Sequence, residues 1–146
     1  PRAVAGGHAF LSLAYGRIGL ELGGEGNLPV SARSAAGDGF RIRTELGTLA
    51  ACGRSSWVSA CAITKLGRVR VDGLGVDRPV SASGLLAQLG ARVLASTRLG
   101  SHLTVQVHGD VLHLLSPWTV ELNQVPRWTM PRWGGGAGLA LAARIP

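Results

Sequence analysis

FRIRTELGTLAACGRSSWVSACAITKLGRVRVD, residues 40–72, alternates in character with a period of two on both sides of a central turn. Phe40, Ile42 and Leu46 share one parity, and Arg41, Arg43 and Glu45 the other. That period is the signature of a strand with two chemically different faces. Cys52 and Cys61 flank a plausible hairpin turn. Setting them directly opposite each other fixes the register of both strands. Glu45 then meets Arg68, Arg41 meets Asp72, and Thr44 and Ile42 meet Val69 and Val71. One assumed contact thus returns two opposite-charge cross-strand pairs. Arg43 falls opposite Arg70 and needs a carboxylate from a neighbouring pair. Lys65 falls on the apolar parity, where it must snorkel to an interface or mark a bulge near Gly67.

The same period runs through the rest of the chain. Ala9, Leu11, Leu13 and Tyr15 share a face, and Gly16-Arg17 reads as a two-residue hairpin turn with Gly first. Pairing Tyr15 with Ile18 sets Leu13 against Leu20, Leu11 against Leu22, and Ser12 against Glu21. Roughly Gly23 to Gly39 reads as a long loop. A fifth strand carries Leu89, Ala91, Val93 and Ala95, and a turn near Gly100 leads to a sixth with Leu103, Val105, Val107 and Val111. This hairpin sets Arg92 against His108, with Asp110 one diagonal step away. "WTVELNQVPRW" reads as an extended loop hairpin, and the last strand carries Ala137, Leu139, Leu141, Ala143 and Ile145. Short turns follow strands one, three and five, and long loops follow two, four and six.

Composition narrows the setting. The chain has 146 residues, 22 of them Gly, and only 16% are charged. Its net charge of +7 is spread along the sequence rather than clustered, which argues against a nucleic-acid partner. No stretch approaches the roughly 20 apolar residues of a membrane helix. Clean alternation suits either a soluble barrel or sandwich with an apolar core, or a membrane barrel with a polar lumen. The membrane reading is favoured by Gly-, Ala- and Ser-rich polar faces and by aromatic residues kept to strand ends. Tyr15 and Trp57 lie beside short turns, and Trp118, Trp128 and Trp133 lie at the long-loop end, the two belts expected at the two membrane interfaces.

The segments "GGHAFLSL", "GARVLAS", "HLTVQVHGDVLHLL" and "GLALAARIP", with the C…W…C hairpin, resemble small uncharacterised outer-membrane β-barrel proteins of high-GC Gram-negative bacteria. The resemblance implies an outer-membrane location, an up-and-down transmembrane barrel, and membrane lipid, lipopolysaccharide and the barrel-assembly machinery as partners. It implies no reaction.

The expected fold is therefore all-β, a single antiparallel barrel domain over residues 1–146 with seven visible strands. The first and seventh run in the same direction, so an eight-stranded parent is expected, with its first strand and a signal peptide before Pro1. Cys52 and Cys61 are expected to be disulfide-bonded, as in an oxidising compartment. Glu21, Arg41, Arg43, Glu45, Arg68, Arg70, Asp72, Arg92, His108 and Asp110 are expected to form a charge network in the lumen, a structural plug more than a pore. No G-x-S-x-G, H-E-x-x-H or P-loop pattern is present. No cofactor, metal or catalytic residue is expected, and the role is structural, anchoring or surface interaction. Two alternatives stay open. One is a lipid-modifying enzyme using His108 and Asp110 or Ser12 and Glu21; the other is a soluble lipocalin-like ligand-binding barrel.

Overall fold

The computed structural model describes residues 4–33, 39–74, 81–122 and 125–143. Seven strands form one antiparallel sheet: β1 (Gly6–Tyr15), β2 (Ile18–Asn27), β4 (Gly39–Arg54), β5 (Val58–Leu74), β6 (Ser81–Leu99), β7 (Leu103–Leu114) and β10 (Trp133–Ala143), side by side in chain order. The short β3 (Val30–Arg33) pairs with β4 beyond the end of β2. β8 (Thr119–Leu122) and β9 (Val125–Thr129) make a separate hairpin. The sheet curls upon itself. His8 on β1 and His108 on β7 are five strands apart, about 24 Å in a flat sheet, yet their ring centroids are 6.2 Å apart.

Turn chemistry sets the hairpins. Gly16 and Gly100 take positive φ, +58° and +80°, which glycine adopts without strain. The register of β1 and β2 is the expected one, with Tyr15 opposite Ile18 and Ser12 opposite Glu21. β4 and β5 also pair as expected, Cys52 opposite Cys61, Glu45 opposite Arg68 and Arg43 opposite Arg70. A disulfide joins the two cysteines, whose Cα atoms are 4.0 Å apart.

Two expectations are corrected. The stretch from Gly23 to Gly39 is not wholly loop, because β2 runs to Asn27 and β3 continues the ladder on β4. Its glycines weaken strand propensity, but an adjacent strand still offers every backbone group a partner. In the β6–β7 hairpin, Arg92 faces Asp110 and Leu94 faces His108. The three-residue loop is Gly100–His102, one position later than the sequence suggests, so the register slides by two and every side chain keeps its face. Arg144 and Ile145 lie outside the described residues, as does part of the loop between β5 and β6.

The main correction concerns which face is inside. Along β4 and β5 the concave face carries Phe40, Ile42, Leu46, Ile63, Lys65, Val69 and Val71. Arg41, Arg43, Glu45, Arg68, Arg70 and Asp72 all lie on the convex face, none of them buried. They are not lumen residues. Toward the short turns the same convex face becomes apolar, with Leu49, Leu66 and Leu89 exposed. These strands therefore invert their polarity along their length. In the short-turn half leucines lie outside, while Lys65, Arg92, Glu21 and Asp110 lie inside beside a buried apolar cluster of Ala50, Cys61 and Ile63; in the long-loop half charges lie outside and apolar side chains inside.

The packing follows the inversion. Leu46, Leu86 and Leu114 form one buried layer with Met130 against it. Beyond it Val69 and Val71 pack with Phe40, Ile42, Trp118 and Trp128. Trp118 and Trp128 thus belong to a plug at the long-loop end and not to an outer aromatic belt. The β8–β9 region folds over that end, Trp118 Nε1 donates to Leu85 O at 3.2 Å, and Gly84 leaves the space its ring fills. Tyr15, Trp57 and Trp133 remain exposed.

Candidate functional site

The short-turn half of the concave face holds a buried ion network built by four strands, β2, β5, β6 and β7. Arg92 on β6 is 2% exposed. Its Nε and Nη2 donate to the two carboxylate oxygens of Asp110 on β7, at 2.8 and 3.0 Å, and its Nη1 donates to Glu21 Oε1 on β2 at 2.7 Å. The fork that reaches Asp110 is bidentate, the strongest arrangement available to this pair. Lys65 Nζ on β5 donates to both oxygens of Glu25 at 2.9 and 2.8 Å and lies 3.2 Å from Asp110 Oδ2. Asp110 bridges the two cations.

Register explains the convergence. Arg92 and Asp110 are directly opposite each other on paired strands. Glu21 and Glu25 share the inward parity of β2, and curling brings them across the lumen to β5 and β6. Lys65 is therefore neither snorkelling nor at a bulge. It is buried and sits on the inward parity of β5.

His8 and His108 sit beside the network. His8 stacks on Phe10 with ring centroids 5.2 Å apart, and its Nε2 is 3.9 Å from Glu21 Oε1, too far for a hydrogen bond. Each imidazole lies over a glycine of the next strand: a Cβ at Gly23 would meet His8 Nε2 at 2.8 Å, and one at Gly138 would meet His108 Cε1 at 2.5 Å. Ser12 faces Glu21 in the register but makes no hydrogen bond to it or to either histidine among the described residues. A nucleophile joined to a base is thus not assembled here. Among the described residues no three His, Cys, Asp or Glu are grouped so as to hold a metal ion.

Of the expected lumen charges, the structure brings together Glu21, Arg92 and Asp110, with His108 close by. Glu25, Lys65 and His8 join them and were missed. The signal for Lys65 was its conflict with the face assigned to β5, which the opposite assignment removes. The signal for Glu25 was its register position opposite His8 on the parity of Glu21.

A cavity of about 1460 Å³ lies on the short-turn side of the network, lined by Ser12, Ser96, Arg98, Thr104 and Gln106 among others. It extends sideways between β1 and β10, which do not pair with each other. No family model matches the chain, and no curated protein or solved structure shows significant similarity to it.

Proposed function

We propose that this chain is a β-barrel that spans a bacterial outer membrane, with its short turns on the periplasmic side. It acts as a structural, anchoring or surface-interaction protein and not as an enzyme or pore. The observation that carries this reading is the inside-out short-turn half. Leu11, Leu13, Leu20, Leu22, Leu139 and Leu141 are each more than half exposed, while Arg92, Lys65, Glu21 and Asp110 are buried. Aqueous proteins rarely expose so continuous an apolar surface. In lipid it is the favourable arrangement, with the charged set kept in the lumen. The closed ion network and the two apolar layers above it block the interior beyond the short-turn cavity, which supports a plug over a channel. Its partners are membrane lipid, lipopolysaccharide and the barrel-assembly machinery.

Folding the chain into vesicles of brominated lipid tests the reading. Fluorescence of the exposed Trp57 and Trp133 should be quenched. A chain that stays monodisperse without detergent and is not quenched would instead be a soluble barrel.

A further inference from the structure

Three hairpins meet at the short-turn end, and each contributes an arginine to the same place. Arg17 lies in the β1–β2 turn, Arg54 ends β4, and Arg98 stands one residue before the end of β6. With Gly16, Ser55 and Ser56 they line a cavity of about 590 Å³. Backbone bonds fix the hairpins to one another. Arg54 N donates to Arg17 O at 2.8 Å, and Ser96 N donates to Trp57 O at 2.9 Å. Convergence of residues far apart in sequence is thus a product of the fold.

No carboxylate lies within 4.0 Å of any of the three guanidinium groups among the described residues. Every other ion pair described serves the interior network or the outer wall of the long-loop half. Three cations gathered without a counter-charge repel one another, and an anion among them removes that cost. The donors also have a shape. Guanidinium groups present planar forks that match the oxygens of phosphate in pairs, and two serine hydroxyls add single donors.

We propose that this mouth binds a phosphate group, either as free phosphate or as the headgroup of a membrane lipid. The proposal does not rest on the membrane reading, since the hairpins converge whether the barrel spans lipid or not.

The test uses the folded chain in non-ionic detergent, titrated calorimetrically with inorganic phosphate at constant ionic strength. Saturable binding is expected. Arg54→Gln and Arg98→Gln should each weaken it about tenfold, the loss expected for one charge-assisted contact. Arg70→Gln, on the outer wall at the far end, should leave it unchanged. Arg54→Lys keeps the charge and should bind less well than the parent because it lacks the fork. These arginines are exposed, so the substitutions leave the core intact, and unfolding curves of each variant check this. Repeating the titration in phosphatidylcholine vesicles with and without phosphatidylglycerol separates the sources. Phosphate binding that survives phosphatidylglycerol assigns the site to the free anion, and binding suppressed only there assigns it to the headgroup. Absence of saturable binding in detergent would overturn the proposal. So would equal losses in Arg54→Gln and Arg70→Gln, or full affinity in Arg54→Lys.

Discussion

Arg92 spreads one guanidinium across two carboxylates on different strands. Truncation leaves Glu21 and Asp110 buried with Lys65 as the remaining cation beside Asp110. Removing one partner of a buried pair costs about 3–5 kcal/mol, because the orphaned charge stays desolvated. Arg92→Ala should therefore lower unfolding stability in detergent by that amount. Arg43→Ala, on the exposed pair with Glu45, should change it by about 0.5 kcal/mol or less. Similar losses in the two variants would place both arginines in the same environment and contradict the face assignment. The disulfide makes a second residue-scale prediction. Cys52 and Cys61 are nine residues apart in sequence, so replacing both by Ser should cost about 2–3 kcal/mol at most. Thiol labelling of the unreduced, denatured protein should find both blocked. That pairing was legible because opposed cysteines also gave sensible charge pairs. The role of Lys65 was not, because alternation alone assigns a parity without saying which parity is inside.

The strand is the scale at which this ambiguity operates. β4 and β5 are 16 and 17 residues long, well beyond the 9–11 or so that a tilted strand needs to cross a membrane. On the proposed membrane reading the excess would stand in water, where the rule for inside and outside reverses. Turns, pairing and much of the register were readable, since a periodic pattern fixes them without reference to solvent. Reading the charged faces of the long-loop half as lumen extended the inside-out rule to residues whose charged face is the convex, exposed one. Three substitutions test where the two faces change character. Val107→Arg, on the exposed apolar belt, should cost about 2–4 kcal/mol in a bilayer if it lies at mid-depth. Arg68→Leu, on the outer face beside Leu85, should stay within about 0.5 kcal/mol. Val69→Asp, one position along and 1% exposed, should cost about 3 kcal/mol or more, because the carboxylate enters the aromatic plug. Unfolding in lipid vesicles measures all three. A heavier penalty at Arg68 than at Val69 would restore the original orientation of β5.

At the scale of the whole molecule the open seam between β1 and β10 governs behaviour. Carbonyls of Ala9 and Leu13 lie against β2, which leaves the N–H and C=O groups of His8, Phe10, Ser12 and Ala14 directed into the seam. Gly136 O lies toward β7, so Ala137, Leu139 and Leu141 do the same from the other side. Unpartnered backbone groups in hydrocarbon cost several kcal/mol each. The two edges cannot close antiparallel on each other, because β1 and β10 both run toward the short turns. A second copy in the same orientation offers the same two directions and would also have to pair in parallel; an inverted copy would pair antiparallel with its long loops at the opposite end. None of the described residues supplies another strand to the ring, since β8 and β9 pair only with each other. One strand running from the short turns toward the long loops is antiparallel to both edges and would satisfy them together, bringing the ring to eight. Amide hydrogen exchange on these 146 residues in detergent provides the check. The amides of Phe10, Ser12, Ala137 and Leu139 should exchange fast, while that of Ile63 on the central strand β5 stays protected. If the edge amides are as protected as Ile63 at every protein concentration, the ring closes without an eighth strand. Protection that grows with concentration would show that a second copy fills the seam.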